Sequence, residues 1–310
     1  MDNKSLGVIV EYYRKKERLP LEKVSKGICS KATLQRIELG DKLVDSLMGE
    51  RLLGRLGREA ARFELIQDEE DYELWCTRNA IEHAMQQKDY DTVQKLIQEY
   101  RACTRQKHKL HKQYVLEQEV LLEMQTNKNA ERIIEKAKEA LFLSIPSFER
   151  VDAEKLLYSQ TEIELILILI HYGYMEFGEE TEYELQKLLA YVERMFEGQK
   201  KEQLSVRVVE ELIYIASAQL EDKKVISYIE QALDILAQGR TIRKIAGLRF
   251  YKAQVLMTMY GTQEDKLLEI KQECLMAYAV SEVMGMMELY EKIERFCEEK
   301  LQWRVTELVM

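Results

Sequence analysis

Apolar residues recur along nearly the whole chain at the spacing of one helix face, as in Ala130, Ile133, Ile134, Ala137 and Leu141, or Val225, Ile229, Ala232, Leu233 and Leu236. Strict alternation over strand lengths is missing. The pattern breaks near residues 88–91, 126–129, 144–152, 177–181, 198–201, 221–224, 239–241 and 261–265, and most breaks lie about twenty residues apart, one helix plus a short turn. From residue 68 onward this predicts helical hairpins of about forty residues stacked side by side, an α-solenoid in which no hairpin buries its apolar face alone. The units match a tetratricopeptide consensus poorly, with Tyr90, Ala130 and Ala232 as scattered echoes of its packing positions. Residues Ile163 to Ile170 have the length of a buried strand. Their helical neighbours, and the continuation through Tyr172 and Tyr174, favour a helix apolar on several faces.

The first 67 residues follow a shorter rhythm. Helices are predicted over about 6–17, 20–26, 30–39 and 46–56. Pro20 suits a first helical position, where its missing N–H leaves nothing unsatisfied. Gly27 ends the second helix, and Ser30 can cap the third by accepting a free backbone N–H. Two short helices joined by a tight turn form a helix-turn-helix. On the second of them Leu34 and Ile37 face inward, which leaves Lys31, Ala32, Gln35 and Arg36 on the outer surface. The acidic run Asp68 to Asp71 precedes a new helical pattern, as carboxylates do at the positive end of a helix dipole. The expected domains are therefore 1–67 and 68–310.

Leu6-Gly7, Arg14, the stretch from Val24 to Ser30 and the stretch from Leu34 to Gly40 resemble the phage-repressor-like (Xre-type) helix-turn-helix. The compact turn Gly27-Ile-Cys-Ser30 is most similar to that of peptide-responsive quorum-sensing regulators of the Rgg and PlcR type, in which a DNA-binding head precedes a tetratricopeptide-like solenoid that binds a short signalling peptide and dimerises. The motif covers about fifty residues; over the rest the resemblance is one of architecture. It implies a double-stranded operator as partner, with Lys31, Ala32, Gln35 and Arg36 on the base-reading face. The chemistry agrees for two of these: Arg36 can donate twice to guanine and Lys31 can reach guanine or phosphate, while Ala32 offers only a methyl contact to thymine. Arg14, Ser30 and Lys42 fit phosphate contacts. The glutamine that often opens the second helix in this family is Leu21 here, so one phosphate contact is absent.

Composition narrows the class. The 310 residues are 46% hydrophobic with only 2 Pro and 13 Gly, which suits an all-α chain with a sizeable core. The net charge of -9 is unevenly placed: residues 1–67 carry 14 Lys plus Arg against 10 Asp plus Glu, a surplus of 4 cations on an otherwise acidic protein. Five scattered cysteines without a C-x-x-C point to reduced thiols in a cytoplasmic setting. Neither a signal peptide nor a membrane span is expected, since the most apolar run, residues 165–170, is far short of the roughly 20 residues a bilayer needs.

No Walker loop, dinucleotide fingerprint, nucleophile elbow or H-E-x-x-H is present, so no catalytic residue, cofactor or metal is expected. His108 and His111 are three apart but have no further ligand nearby and read as part of a solvated Lys-rich face. Arg78, Asn79, Gln113, Tyr114, Tyr172 and Arg249 are candidates to line a ligand groove on the inner helices. Tyrosines at such spacing also serve as core, and the asparagines that clamp a peptide in the resembled family are scarce here. The stretch from Val283 to Tyr290, with Phe296, Trp303 and Val305, can form a homodimer interface or close the last hairpin. The sequence-level function is a ligand-controlled transcriptional regulator; a solenoid adaptor for a protein partner and a ligand-independent repressor stay open beside it.

Overall fold

The computed structural model describes residues 4–59, 65–104, 107–146, 148–152, 155–173, 179–237, 239, 242–261 and 263–305, and they are helical with no strand among them. Among the described residues fifteen helices follow one another: α1 (Lys4–Lys16), α2 (Leu21–Ser25), α3 (Lys31–Glu38), α4 (Ser46–Arg55), α5 (Glu69–Gln86), α6 (Tyr90–Cys103), α7 (Lys109–Gln125), α8 (Ala130–Ser144), α9 (Gln160–His171), α10 (Glu179–Met195), α11 (Gly198–Ala218), α12 (Asp222–Ala237), α13 (Arg243–Tyr260), α14 (Glu264–Val283) and α15 (Met287–Leu301). They form two compact units, Met1–Glu197 and Gly198–Met310. The apolar run at 163–170 is helical, in α9; Tyr174 and the break near Phe177 lie outside the described residues.

Local signals explain the helix starts. Asp45, Asp68, Asp89 and Asn129 each accept the N–H three residues on, relieving one of the donors that a helix start leaves free. In the first unit α1 to α4 enclose a small core of Val10, Val24, Leu34, Ile37, Leu52 and Leu56. Helices α5–α6 and α7–α8 follow as antiparallel hairpins. In the second unit α11–α12 and α13–α14 are hairpins and α15 covers the last, burying Phe250, Ile270, Cys274, Ile293 and Cys297 together. Lys252 on α13 is buried there between Glu230 on α12, at 3.1 Å, and Glu273 on α14, at 3.0 Å.

Helix α4 joins the head to the hairpins of the first unit. Its polar residues leave at successive turns for successive helices. Ser46 donates to Asp71 of α5 at 2.7 Å, and Glu50 accepts from Arg78 of the same helix at 3.1 Å. Arg51 donates to Glu117 of α7 at 3.0 Å and to Thr161 of α9. Arg55 then meets Glu162 of α9 at 2.5 Å, both side chains 2% exposed. That carboxylate also accepts the backbone N–H of Ser159 at 2.7 Å and its hydroxyl at 2.9 Å, so one buried group caps α9 and neutralises α4. The remaining Arg55 nitrogen donates to the carbonyl of Lys26, in the turn between α2 and α3.

Two turns are shaped by how closely they approach the hairpins. Gly27 has φ +76°, and a Cβ there would lie 1.7 Å from the carbonyl oxygen of Ser144, at the end of α8. Gly57 has φ +68° and would meet the Met195 carbonyl of α10 at 1.6 Å. Neither place accepts a side chain, on conformational and on steric grounds alike.

Burial raises the Glu162 carboxyl, but the charge and hydrogen bonds of Arg55, with those of Ser159, outweigh it and hold the group below its ordinary 4.5. A carboxyl lowered in the folded state stabilises the protein above its unfolded pKa and stops doing so as pH falls through the folded value. The wild type should therefore lose more stability between about pH 5 and pH 3 than Glu162→Gln does, read by denaturant midpoints across that range. At pH 7 Arg55→Met or Glu162→Gln alone should cost about 3–5 kcal/mol, because a buried partner is stranded, whereas Arg55→Met with Glu162→Met should recover most of that loss.

Candidate nucleic-acid interface

The head presents one helix to solvent in an orderly way. Ser30 sits ahead of α3 with extended backbone, and its Oγ accepts the Thr33 N–H at 3.0 Å, the cap its sequence position predicts. Leu34 and Ile37 anchor the helix in the head core at 0% and 2% exposure. Lys31, Ala32, Gln35 and Arg36 are all exposed, so the four expected base-reading side chains occupy one free surface. Ser30 and Lys42 are exposed beside them.

Arg14 stands elsewhere. It grips Glu38 through two parallel hydrogen bonds of 2.6 Å and donates to the Leu19 carbonyl at 3.1 Å. Its expected phosphate contact is corrected accordingly: with its side chain 13% exposed and bidentate on Glu38, the guanidinium ties α1 to α3.

Two features of this face escaped the sequence reading. Leu39 is 63% exposed and follows Ala32, Gln35 and Arg36 at helical spacing, while Leu43 is 54% exposed in the next loop. The stripe 32, 35, 36, 39 was the available signal. Glu22 of α2 forms an ion pair with Lys31 across the helix-turn-helix, and that hydrogen bond lowers the Glu22 carboxyl. Both groups are more than half exposed, so the pair is weak and easily replaced by another anion.

The groove candidates divide. Arg78, Gln113 and Tyr114 are buried, at 4%, 1% and 5% exposure. Arg78 donates to Ser46 and Glu50, Gln113 donates to the Ala140 carbonyl at 3.0 Å and to Ser144 at 2.8 Å, and Tyr114 packs against Tyr100. These three are corrected from open groove residues to internal links between helices. Asn79 and Tyr172 are half-buried, Tyr172 with its ring against His171. Arg249, in the second unit, meets Glu273 at 2.8 Å.

The histidines also differ from expectation. His111 is 1% exposed, and its Nδ1 is 2.7 Å from the Tyr100 hydroxyl; His108 precedes α7 as its cap. The first is a core residue because α7 turns that face onto α6, which the Lys-rich surroundings concealed. Burial pushes the Tyr100 hydroxyl up to about 12, so it stays protonated at neutral pH. Among the described residues no group of three or more His, Cys, Asp or Glu could hold a metal, and no helix is long and apolar enough to cross a membrane.

The C-terminal apolar stretch is interrupted. Helix α14 ends at Val283 and α15 begins at Met287, leaving Val283 and Met287 84% and 59% exposed, while Val305 and part of Phe296 and Trp303 join the core.

No protein-family model matches the chain, and no curated protein matches it. Solved structures do. The chain is similar to PlcR of Bacillus thuringiensis, solved in complex with the peptide PapR7 and DNA, at a TM-score of 0.54 and 16% identity, over 94% of this chain and 99% of that one. It is also similar to the apo form of the competence regulator ComR from Streptococcus vestibularis, at a TM-score of 0.50 and 13% identity, over 97% and 99% of the two chains. At such identities the shared property is the fold: an all-α chain with a helix-turn-helix head followed by degenerate tetratricopeptide-like hairpins.

Proposed function

We propose that this chain is a sequence-specific DNA-binding transcriptional regulator whose α3 reads an operator and whose hairpins bind an effector, a short peptide. The observation that carries the DNA reading is the exposed stripe Lys31, Ala32, Gln35 and Arg36 on a capped helix whose opposite face is locked in the head core. Two donors able to address guanine beside a methyl able to address thymine make a readable surface. The fold shared with a regulator crystallised with a peptide and DNA supports the pairing of the two activities. A homodimer completes the reading, because helix-turn-helix proteins address two half-sites about one helical turn apart.

The effector reading gains support from α4. A peptide that displaced α7 or α9 would pull on Arg51 and Arg55, and through Arg55 on the Lys26 carbonyl, four residues before the cap of α3. Binding at the hairpins and affinity for the operator would then be linked reciprocally. With Arg78, Gln113 and Tyr114 engaged inside, the peptide contacts remain to be found, with Asn79, Tyr172 and Arg249 as the first side chains to vary.

A second reading has one observation in its favour. Val8, Ile9 and Tyr12 on α1 are 56%, 40% and 60% exposed, an apolar strip suited to a protein partner. A head that docks proteins would use this strip and would not need α3.

Incubation of the full chain with fragmented DNA from its own source, followed by sequencing of what is retained, separates the two. The regulator reading expects a twofold-symmetric motif, lost when Lys31→Ala is combined with Arg36→Ala; no enrichment at low salt with a folded chain would overturn it. On the recovered motif Glu22→Gln should tighten binding several-fold, measured by fluorescence anisotropy, because it frees Lys31 and removes an anion beside the duplex.

A further inference from the structure

Two adjoining cavities, of about 240 and 410 Å³, share Arg150, Asp152 and Lys155 from the segment between α8 and α9. Lys26 of the helix-turn-helix turn lines the first, and Lys187 and Arg194 of α10 line the second. Five cations thus follow one another from the head turn to α10, on a part of the chain that is acidic in sum. Among the described residues the carboxylates facing them are few. Asp152 holds Lys155 at 3.3 Å, Glu184 holds Lys187 at 3.2 Å, and Glu149 lines the first cavity. Lys26, Arg150 and Arg194 are exposed and, among the described residues, meet no carboxylate at ion-pair distance.

The spacing of these charges selects the kind of anion. They are strung along a turn, a loop and a helix and do not converge on one point. Lys187 and Arg194 are two helical turns apart, about 10 Å along α10. Each strand of a duplex carries one phosphate per roughly 3.4 Å of axis, so a row of this length meets several phosphates in succession, where a single small phosphate would meet one or two cations. The row begins beside α3: Gly27 abuts Ser144, and the chain from Lys26 to Lys31 spans at most about 18 Å.

We propose that this basic track holds the phosphate backbone of the duplex flanking the operator, so that the hairpin region of the first unit adds sequence-independent affinity to the reading done by α3. The inference rests on the DNA-binding reading above. Ionic contacts to phosphate set register and salt dependence without selecting bases.

The test compares the full wild-type chain with Arg150→Gln plus Arg194→Gln on two duplexes, the recovered motif alone and the motif extended by about one helical turn, roughly 10 base pairs, on each side. On the extended duplex the variant should bind several-fold more weakly, with a log–log salt slope shallower by about 2, one phosphate contact per arginine. On the short duplex the two proteins should bind alike. Arg150→Lys plus Arg194→Lys should retain the wild-type behaviour on both. Equal affinity and slope on the extended duplex would overturn the track, as would an equal loss on both lengths, which would place the arginines at the motif itself. Protection of the wild type but not the variant by inorganic pyrophosphate in a thermal shift, without any effect on duplex binding, would assign the cations to a small phosphate and also overturn it. If Lys31→Ala with Arg36→Ala abolishes the motif while the arginine variant is indistinguishable from wild type, the track fails and the regulator reading stands; a wild type that retains no duplex ends both.

Discussion

The arrangement of the first unit depends on one buried guanidinium. Arg55 is 2% exposed, and a cation buried to that degree is tolerated only with a geometrically good anion and with each of its nitrogens engaged. Glu162 supplies the anion and the Lys26 carbonyl accepts from the remaining nitrogen. Because Glu162 is itself the residue that caps α9, the requirement fixes three things together: the position of α4, the start of α9, and the turn that precedes the recognition helix. Apolar residues of the same size could fill the space at equal stability. They would not specify direction, whereas the ion pair admits one register of α4 against α9.

A head attached in this way differs from a bead on a string. Ser46, Glu50, Arg51 and Arg55 leave α4 toward α5, α7 and α9 in order, and Gly27 and Gly57 permit backbone-to-backbone approach at α8 and α10. Polar contacts of this directional kind have few intermediate positions, so displacement of one partner helix either breaks a bond or carries α4 along. Tight coupling between the hairpins and the head turn follows from the chemistry of the contact, independent of what the hairpins bind.

Much of this was legible in the sequence and some was not. Helix identity came through wherever the apolar period was unbroken, the cap at Ser30 was visible because a short polar residue stands just before a periodic run, and the acidic run from Asp68 marked the start of α5. The outer face of α3 followed from Leu34 and Ile37 alone. What failed has a common physical cause. Arg14, Arg78, Gln113 and His111 are polar residues whose partners lie 24, 32, 31 and 11 positions away, and a polar side chain with a distant partner looks the same in sequence as one in solvent. The break at Gly285 inside the C-terminal apolar stretch was hidden for the opposite reason: methionines on both sides keep the hydropathy high while the chain turns. Arg78, Gln113 and Tyr114 lie on faces that the helices use to pack on one another.

The ion pair between Arg55 and Glu162 also has a consequence in time. The two residues are separated by 107 positions, and a ribosome adds roughly 5–20 residues each second. For about 5–20 s after the head has been made, its fourth helix waits for the carboxylate that will neutralise it. For most of that interval, until residue 144 has been added, the head also has no α8 end against which to seat Gly27. The nascent chain therefore passes through a stage in which the surface of the head destined for α5 to α10 is uncovered, and that surface is closed only when α10 has emerged.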